Sequence, residues 1–163
     1  MTRSGPWLLA AVLVGAGLAC SADPKTEETK LSKEEQQILE LTNEARAKEK
    51  LPALKVNATL LKVARAHSAN MAKQHRMEHV LDELNPAQRV DKAGYNYRSV
   101  AENIGAGEKG ATVAALFKGW MDSKVHHDNI LSPKYDEIGI GLATDDKGET
   151  YYTQVFGKER PKD

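Results

Sequence analysis

IGIGLATDDKGETYYTQVF, residues 138–156, carries the alternation that decides the fold class. Ile138, Ile140 and Leu142 alternate with Gly139, Gly141 and Ala143, and Tyr151, Thr153 and Val155 alternate with Tyr152, Gln154 and Phe156. A period of two is the signature of a strand. Between the two runs Asp145-Asp146-Lys147-Gly148 has turn chemistry, so the segment predicts an antiparallel hairpin.

Upstream of the hairpin the period is helical. Ser32 and Glu35 have capping-box spacing, and Ile38, Leu41 and Ala45 then recur at helical intervals to about Lys48. Asn57 can cap a second helix whose apolar face is Leu60, Val63, Ala64, His67 and Met71, running to about His75. Asn85-Pro86 starts a short third helix that Gly94 stops, and a fourth begins after Thr112 with Val113, Leu116, Phe117 and Trp120 on one face. Ser99 to Ile104 can add a third strand. Helices first and a hairpin last, with no repeated βαβ unit, predict an α+β domain.

The chain has 163 residues, 40% hydrophobic and 28% charged, which fits one globular domain with a processed end. Lys and Arg number 23, as do Asp and Glu, so there is no cationic excess to neutralise phosphates; nucleic acid is not an expected partner. Arg3 followed by the apolar run Trp7 to Leu18 has the plan of a signal peptide over residues 1–19, and the run is shorter than the roughly 20 residues a membrane span needs. Cys20, the single cysteine, follows directly, so no intramolecular disulfide is available. Leu18-Ala19-Cys20 is similar to the end of a bacterial lipobox, although the leucine usual three places before the cysteine is here Gly17. Cys20 is therefore the expected lipidation site. Residues 21–30 lack any large apolar side chain and read as the rest of a polar tether from Cys20, leaving a domain over 31–158 and a polar tail over 159–163. The expected address is the cell envelope as a lipoprotein, or alternatively a secreted or periplasmic state.

Five histidines lie at 67, 75, 79, 126 and 127. His67 belongs to the buried face of the second helix, and His75 ends that helix, where a cation suits the dipole. His79 sits in the irregular stretch Arg76-Met77-Glu78-His79, which no periodicity explains. His126 and His127 follow the fourth helix; as neighbours, at most one faces a cleft. Glu102 lies beside Gly105, Gly107 and Gly110.

Taken in order, Ala66-His67-Ser68-Ala69-Asn70-Met71-Ala72, His79, Arg89-Val90 with Ala93-Gly94-Tyr95, Ala101-Glu102-Asn103-Ile104, Gly119-Trp120-Met121-Asp122-Ser123 with His126 and Asn129-Ile130-Leu131, Ile138-Gly139-Ile140-Gly141, and Tyr152-Thr153-Gln154-Val155-Phe156 make seven blocks. Together they resemble the bacterial branch of the CAP superfamily, the SCP-like extracellular domains related to plant pathogenesis-related proteins of class 1 and to cysteine-rich secretory proteins. The resemblance covers Leu31 to about Gly157. It implies a three-layer α-β-α sandwich with a mostly antiparallel central sheet and an open cleft. By motif it places His79, Glu102 and His126 in that cleft, with Ser123 where eukaryotic members carry a second glutamate.

Two imidazoles and a carboxylate suit a divalent cation such as zinc, so His79 and His126 are the candidate metal ligands with Glu102 nearby. A metal-bound water with Glu102 as base would make a hydrolase or peptidase of the cell envelope. There is no His-Glu-x-x-His run and no nucleophile elbow, so no independent motif supports an enzyme. The expectation is a monomeric binding module for a metal, a small apolar ligand or an envelope partner, held to the membrane through Cys20.

Overall fold

The computed structural model describes residues 29–161, together with Met1. The expected signal peptide, the lipidation site Cys20 and most of the tether lie outside the described residues. Five helices, α1 (Lys33–Lys48), α2 (Ala58–Gln74), α3 (Pro86–Lys92), α4 (Val113–Asp122) and α5 (Lys124–Ile130), enclose four strands, β1 (Lys55–Val56), β2 (Tyr97–Gly107), β3 (Glu137–Thr144) and β4 (Thr150–Glu159). No described helix is long and apolar enough to cross a membrane.

The sheet order is β1-β3-β4-β2. β4 pairs antiparallel with β3 on one side and β2 on the other, while the two residues of β1 run parallel to β3. The architecture is the expected α-β-α sandwich, but its sheet is mixed. Lys55-Val56 are too few to show a period of two, and the short strand simply lays the chain leaving α1 against Glu137 and Ile138 before α2 begins.

The Ile-Gly alternation of β3 is the two-sidedness of the sandwich written in sequence. Ile138 and Ile140 face the layer of α1, α4 and α5, where they are 0% and 1% exposed beside Ile38, Phe117, Trp120, Ile130 and Phe156. Burying each contributes about 1.5–3 kcal/mol. Gly139 and Gly141 face α2, whose backbone lies so close that an added Cβ would stand 2.0 Å from the carbonyl carbon of Leu60 and 2.3 Å from the nitrogen of Arg65. Glycine there permits backbone-to-backbone packing of helix on sheet. The α2–α3 layer closes with Leu60, Val63, Ala64, Val90 and Val155.

Caps fix where the helices begin. Ser32 and Glu35 form the expected capping box on α1, and the Asn57 carboxamide accepts from Thr59 and Leu60 at 2.9 and 3.1 Å. The buried stripe of α1 differs from the apolar reading: Glu35, Ile38, Thr42 and Arg46 are buried, with Leu41 and Ala45 at its margin. Arg46, 1% exposed, donates to the carbonyls of Pro52, Ile130, Ser132 and Tyr135 at 2.8–3.3 Å. These four acceptors take four of its five N–H groups without any carboxylate and lock the C-terminal end of α5 to α1. At the other end of the chain Arg160 donates to the carbonyls of Asn96 and Tyr97, extending the order just past β4.

Candidate functional site

β2 is an edge strand, and its consecutive residues Glu102 and Asn103 point to opposite faces of the sheet. Glu102, across from Val155, faces the α2–α3 layer; Asn103, across from Gln154, faces α1 and α5. The chemistry of the site follows from that division.

The Glu102 carboxylate is buried and occupied at both oxygens. Oε1 is 2.9 Å from His79 Nδ1 and 3.7 Å from His67 Nε2, and Oε2 accepts from Arg89 Nη2 at 2.6 Å. Arg89 also donates through Nη1 to the carbonyls of His79 and Leu84, so α3 fixes the segment that carries His79. The His79 side chain is 48% exposed while Glu102 is 1% exposed, so one ring nitrogen is anchored in the interior and the rest of the ring looks outward. His67 packs in the core as expected. It lies 3.1 Å from the Glu78 carbonyl, and burial pushes its pKa down, which keeps the ring neutral with Nε2 as the donor.

His126 reaches the same edge from the opposite layer. Asn103 Nδ2 donates to the His126 carbonyl and to Gln154 Oε1, both at 3.1 Å, and Asn129 Nδ2 donates to Asn103 Oδ1 at 2.9 Å. Trp120 Nε1 donates to the carbonyl of Ile104 at 2.8 Å, so α4 and α5 are both held against β2. Burial lowers the His126 pKa, and the neighbouring His79 lowers it further. The ring lines a groove of about 480 Å³ with Met77, Ala106, Leu116, Trp120 and Ser123. Ser123, the residue before α5, makes no side-chain capping hydrogen bond and also lines that groove. His127 stands apart, 41% exposed beside Asp128.

The structure therefore gathers His79 and Glu102 directly, with His126 arriving from across the strand. The three do not bring ligand atoms within 4.8 Å of one another; among the described residues the one His/Cys/Asp/Glu group that does so is His75, Asp145 and Asp146. There His75, in the left-handed conformation at the end of α2, places Nδ1 2.8 Å from Asp145 Oδ2 and Nε2 3.6 Å from Asp146 Oδ1. Asp145 Oδ1 meanwhile accepts from the backbone of Lys147 and Glu149, closing the hairpin turn. This group is a possible metal-binding site. Sequence reading separated its parts, as a helix end and a turn, because nothing local says that the end of α2 lies against the tip of the hairpin. Arg89 was legible only as a piece of a motif, not as the partner of Glu102. Among the described residues, apart from Met1, the large hydrophobic residues left exposed are Met77 and Val80, flanking His79, and Val125, next to His126, at 50%, 51% and 70%.

Residues 39–156 match the model of the cysteine-rich secretory protein family, CAP. An uncharacterised Bacillus subtilis protein, YkwD, is 34% identical over 125 residues, covering 76% of this chain and 47% of its own length. The chain thus spans about half the length of that curated relative and 34% of a second, an uncharacterised Bacillus subtilis membrane protein. An extracellular SCP-domain protein of Bacillus anthracis superposes with a TM-score of 0.70 at 27% identity, over 85% of this chain and 44% of that one. An outer surface protein of Borrelia burgdorferi shares the fold at a TM-score of 0.72 and 23% identity, over 80% of this chain and 97% of that one.

Proposed function

The chain belongs to the cysteine-rich secretory protein (CAP) family, and from that premise we propose an exported, lipid-anchored binding module that holds a divalent cation, zinc by its donor set, between His79 and His126. Export agrees with relatives described as extracellular and outer-surface proteins. The anchor is Cys20, and the polar tether sets the domain off from the membrane.

One observation carries the reading: His79 is anchored through Nδ1 to a buried carboxylate while half of its ring is exposed. A carboxylate behind a histidine fixes the ring and makes its outer nitrogen a better ligand. His79 Nε2 and a ring nitrogen of His126 would hold the ion, and Glu102 would act from behind the ring. When bound, the cation supplies a Lewis acid with coordination positions left for a ligand. Met77, Val80 and Val125 border these histidines with apolar surface, which suits a ligand or partner having an apolar part.

Binding is favoured over hydrolysis by the state of Glu102. Both its oxygens already accept, one from His79 and one from Arg89, and the side chain is 1% exposed, so it is placed to orient an imidazole rather than to meet a water. Calorimetric titration with zinc tests the proposal. Wild type is expected to bind one equivalent that His126→Ala loses and His75→Ala retains; equal binding by wild type and His126→Ala would rule this site out.

A further inference from the structure

Behind Glu102, between α2 and α3, lies a second cavity of about 410 Å³ that the proposed zinc site does not use. Its floor is apolar, made of Val63 and Leu84, with the exposed Ala66 and Ala93 at the rim. Its charged lining is entirely cationic: Lys62 from α2, Lys92 and Arg89 from α3. Among the described residues neither Lys62 nor Lys92 has a carboxylate within 4.0 Å, so the charge of both is open to a ligand. Asp82, bonded to Asn70 on the rim, is turned onto the amides of Asn70 and Gln74.

The inner wall adds a second observation. Arg89 uses Nη1 on two carbonyls and Nη2 on Glu102, which leaves its buried Nε–H without a partner. His67, 1% exposed and lining the same cavity, also has an unpartnered Nδ1, but with Nε2 as the donor that nitrogen is a lone pair and calls for a donor instead. Buried polar atoms are satisfied in the great majority of cases, so the orphan Arg89 Nε–H points to an acceptor that enters from outside.

We propose that this cavity binds a phosphate monoester with a small apolar body. Glu102 already neutralises Arg89, so the net charge offered is that of the two lysines. A phosphate monoester, carrying about −1.5 to −2 at pH 7, matches it better than a carboxylate does. The guanidinium N–H is a geometry that phosphate oxygens accept well, and lysine adds point charge at the rim. The aliphatic floor takes the organic part, which separates this ligand from free phosphate.

Phenyl phosphate is the probe, titrated by calorimetry into the whole protein, with inorganic phosphate and phenol as the two half-ligands. Saturable binding of phenyl phosphate is expected, with each half-ligand weaker, and the double variant Lys62→Ala/Lys92→Ala is expected to bind about ten-fold more weakly. Both lysines are exposed, so an unchanged thermal midpoint checks that the variant folds. Ala93→Glu, which sets a carboxylate at the exposed rim, gives an independent variant and is expected to weaken binding as well. Absence of saturable binding, undiminished binding by both variants, or inorganic phosphate binding as tightly as the ester would each overturn the proposal.

Discussion

Glu102 and Asn103 are neighbours on one strand, and they hold the molecule together in opposite ways. On the Glu102 side the groups are ionic and one of them, His79, stands half in solvent. On the Asn103 side they are neutral amides and hydroxyls in a closed chain: Asn129 to Asn103, Asn103 to Gln154, Gln154 to Thr42, and Thr42 to the carbonyl of Ile38, with Asn103, Gln154 and Thr42 all 0% exposed. Alternation along β2 thus assigns adjacent residues to a site and to a scaffold. The scaffold side fixes the backbone of His126 and the site side fixes the ring of His79, so the cleft is assembled by both.

The comparison breaks most visibly at Glu102. Glu102→Leu would leave the Arg89 guanidinium, 11% exposed, beside an apolar side chain, and removing one partner of a buried pair costs about 3–5 kcal/mol. Urea unfolding should show that loss; a loss below about 1 kcal/mol would mean that the guanidinium re-solvates freely and that the cluster is a surface feature. Asn103→Ala comes next. It leaves Gln154 Oε1, the His126 carbonyl and Asn129 Nδ2 short of a partner, at about 1–3 kcal/mol for a buried group, and neighbouring groups recover part of it, so about 2–3 kcal/mol is expected. Unlike Glu102→Leu, this variant should loosen α5, which hydrogen exchange at residues 124–130 would detect. Protection unchanged there would detach His126 from the amide chain.

How far each side was legible in the sequence follows from the range of its interactions. The caps at Ser32 and Asn57 and the hairpin turn are local, and residue type at fixed offset announced them. His79, Glu102 and His126 were singled out because their motif blocks stood in order across the chain, not because any of them is unusual in its own neighbourhood. The helix α5 was hidden: Lys124–Ile130 has a single buried residue, Ile130, so it has no apolar face to read. Arg46 was hidden for the opposite reason. A cation three turns into α1 reads as solvated, and only the fold brings the carbonyls of Ile130, Ser132 and Tyr135 around it. The Arg89–Glu102 pair likewise depends on α3 packing beside β2, which no spacing encodes.

Acid should separate the two sides more gently than mutation. His67 is the buried imidazole of the Glu102 side, facing Glu102, Arg89, His79 and the Glu78 carbonyl, and burial holds its pKa below the ordinary value. Protons therefore bind the unfolded chain before they bind the folded one. Stability contributed by the neutral ring is present at pH 7, declines as pH falls through the unfolded value near 6.5, and levels off below the folded value. The urea midpoint of wild type should drop between pH 7.5 and 5.5, and His67→Asn should shrink that drop. The amide chain titrates nowhere in this range, so a variant confined to it, such as Gln154→Leu, should shift the midpoint equally at both pH values. A pH-dependent shift in Gln154→Leu would show that the two sides are coupled through the strand.

The smallest expected change in stability falls on the residue with the largest expected effect on binding. His79→Ala removes a half-exposed ring from a buried carboxylate that keeps Arg89, so stability should change by no more than about 1 kcal/mol. Zinc binding should nevertheless be lost, because in the proposed site the ring supplies a ligand atom that no neighbour replaces. Glu102→Gln makes the complementary change: it keeps the ring in place but weakens the acceptor behind it, and removing such a supporting group typically lowers metal affinity about 10- to 100-fold. A graded result, with His79→Ala abolishing binding and Glu102→Gln attenuating it, separates a ligand from the group that positions it. If both variants lost zinc equally, Glu102 would itself touch the ion, and the side of β2 read here as support would be part of the coordination sphere.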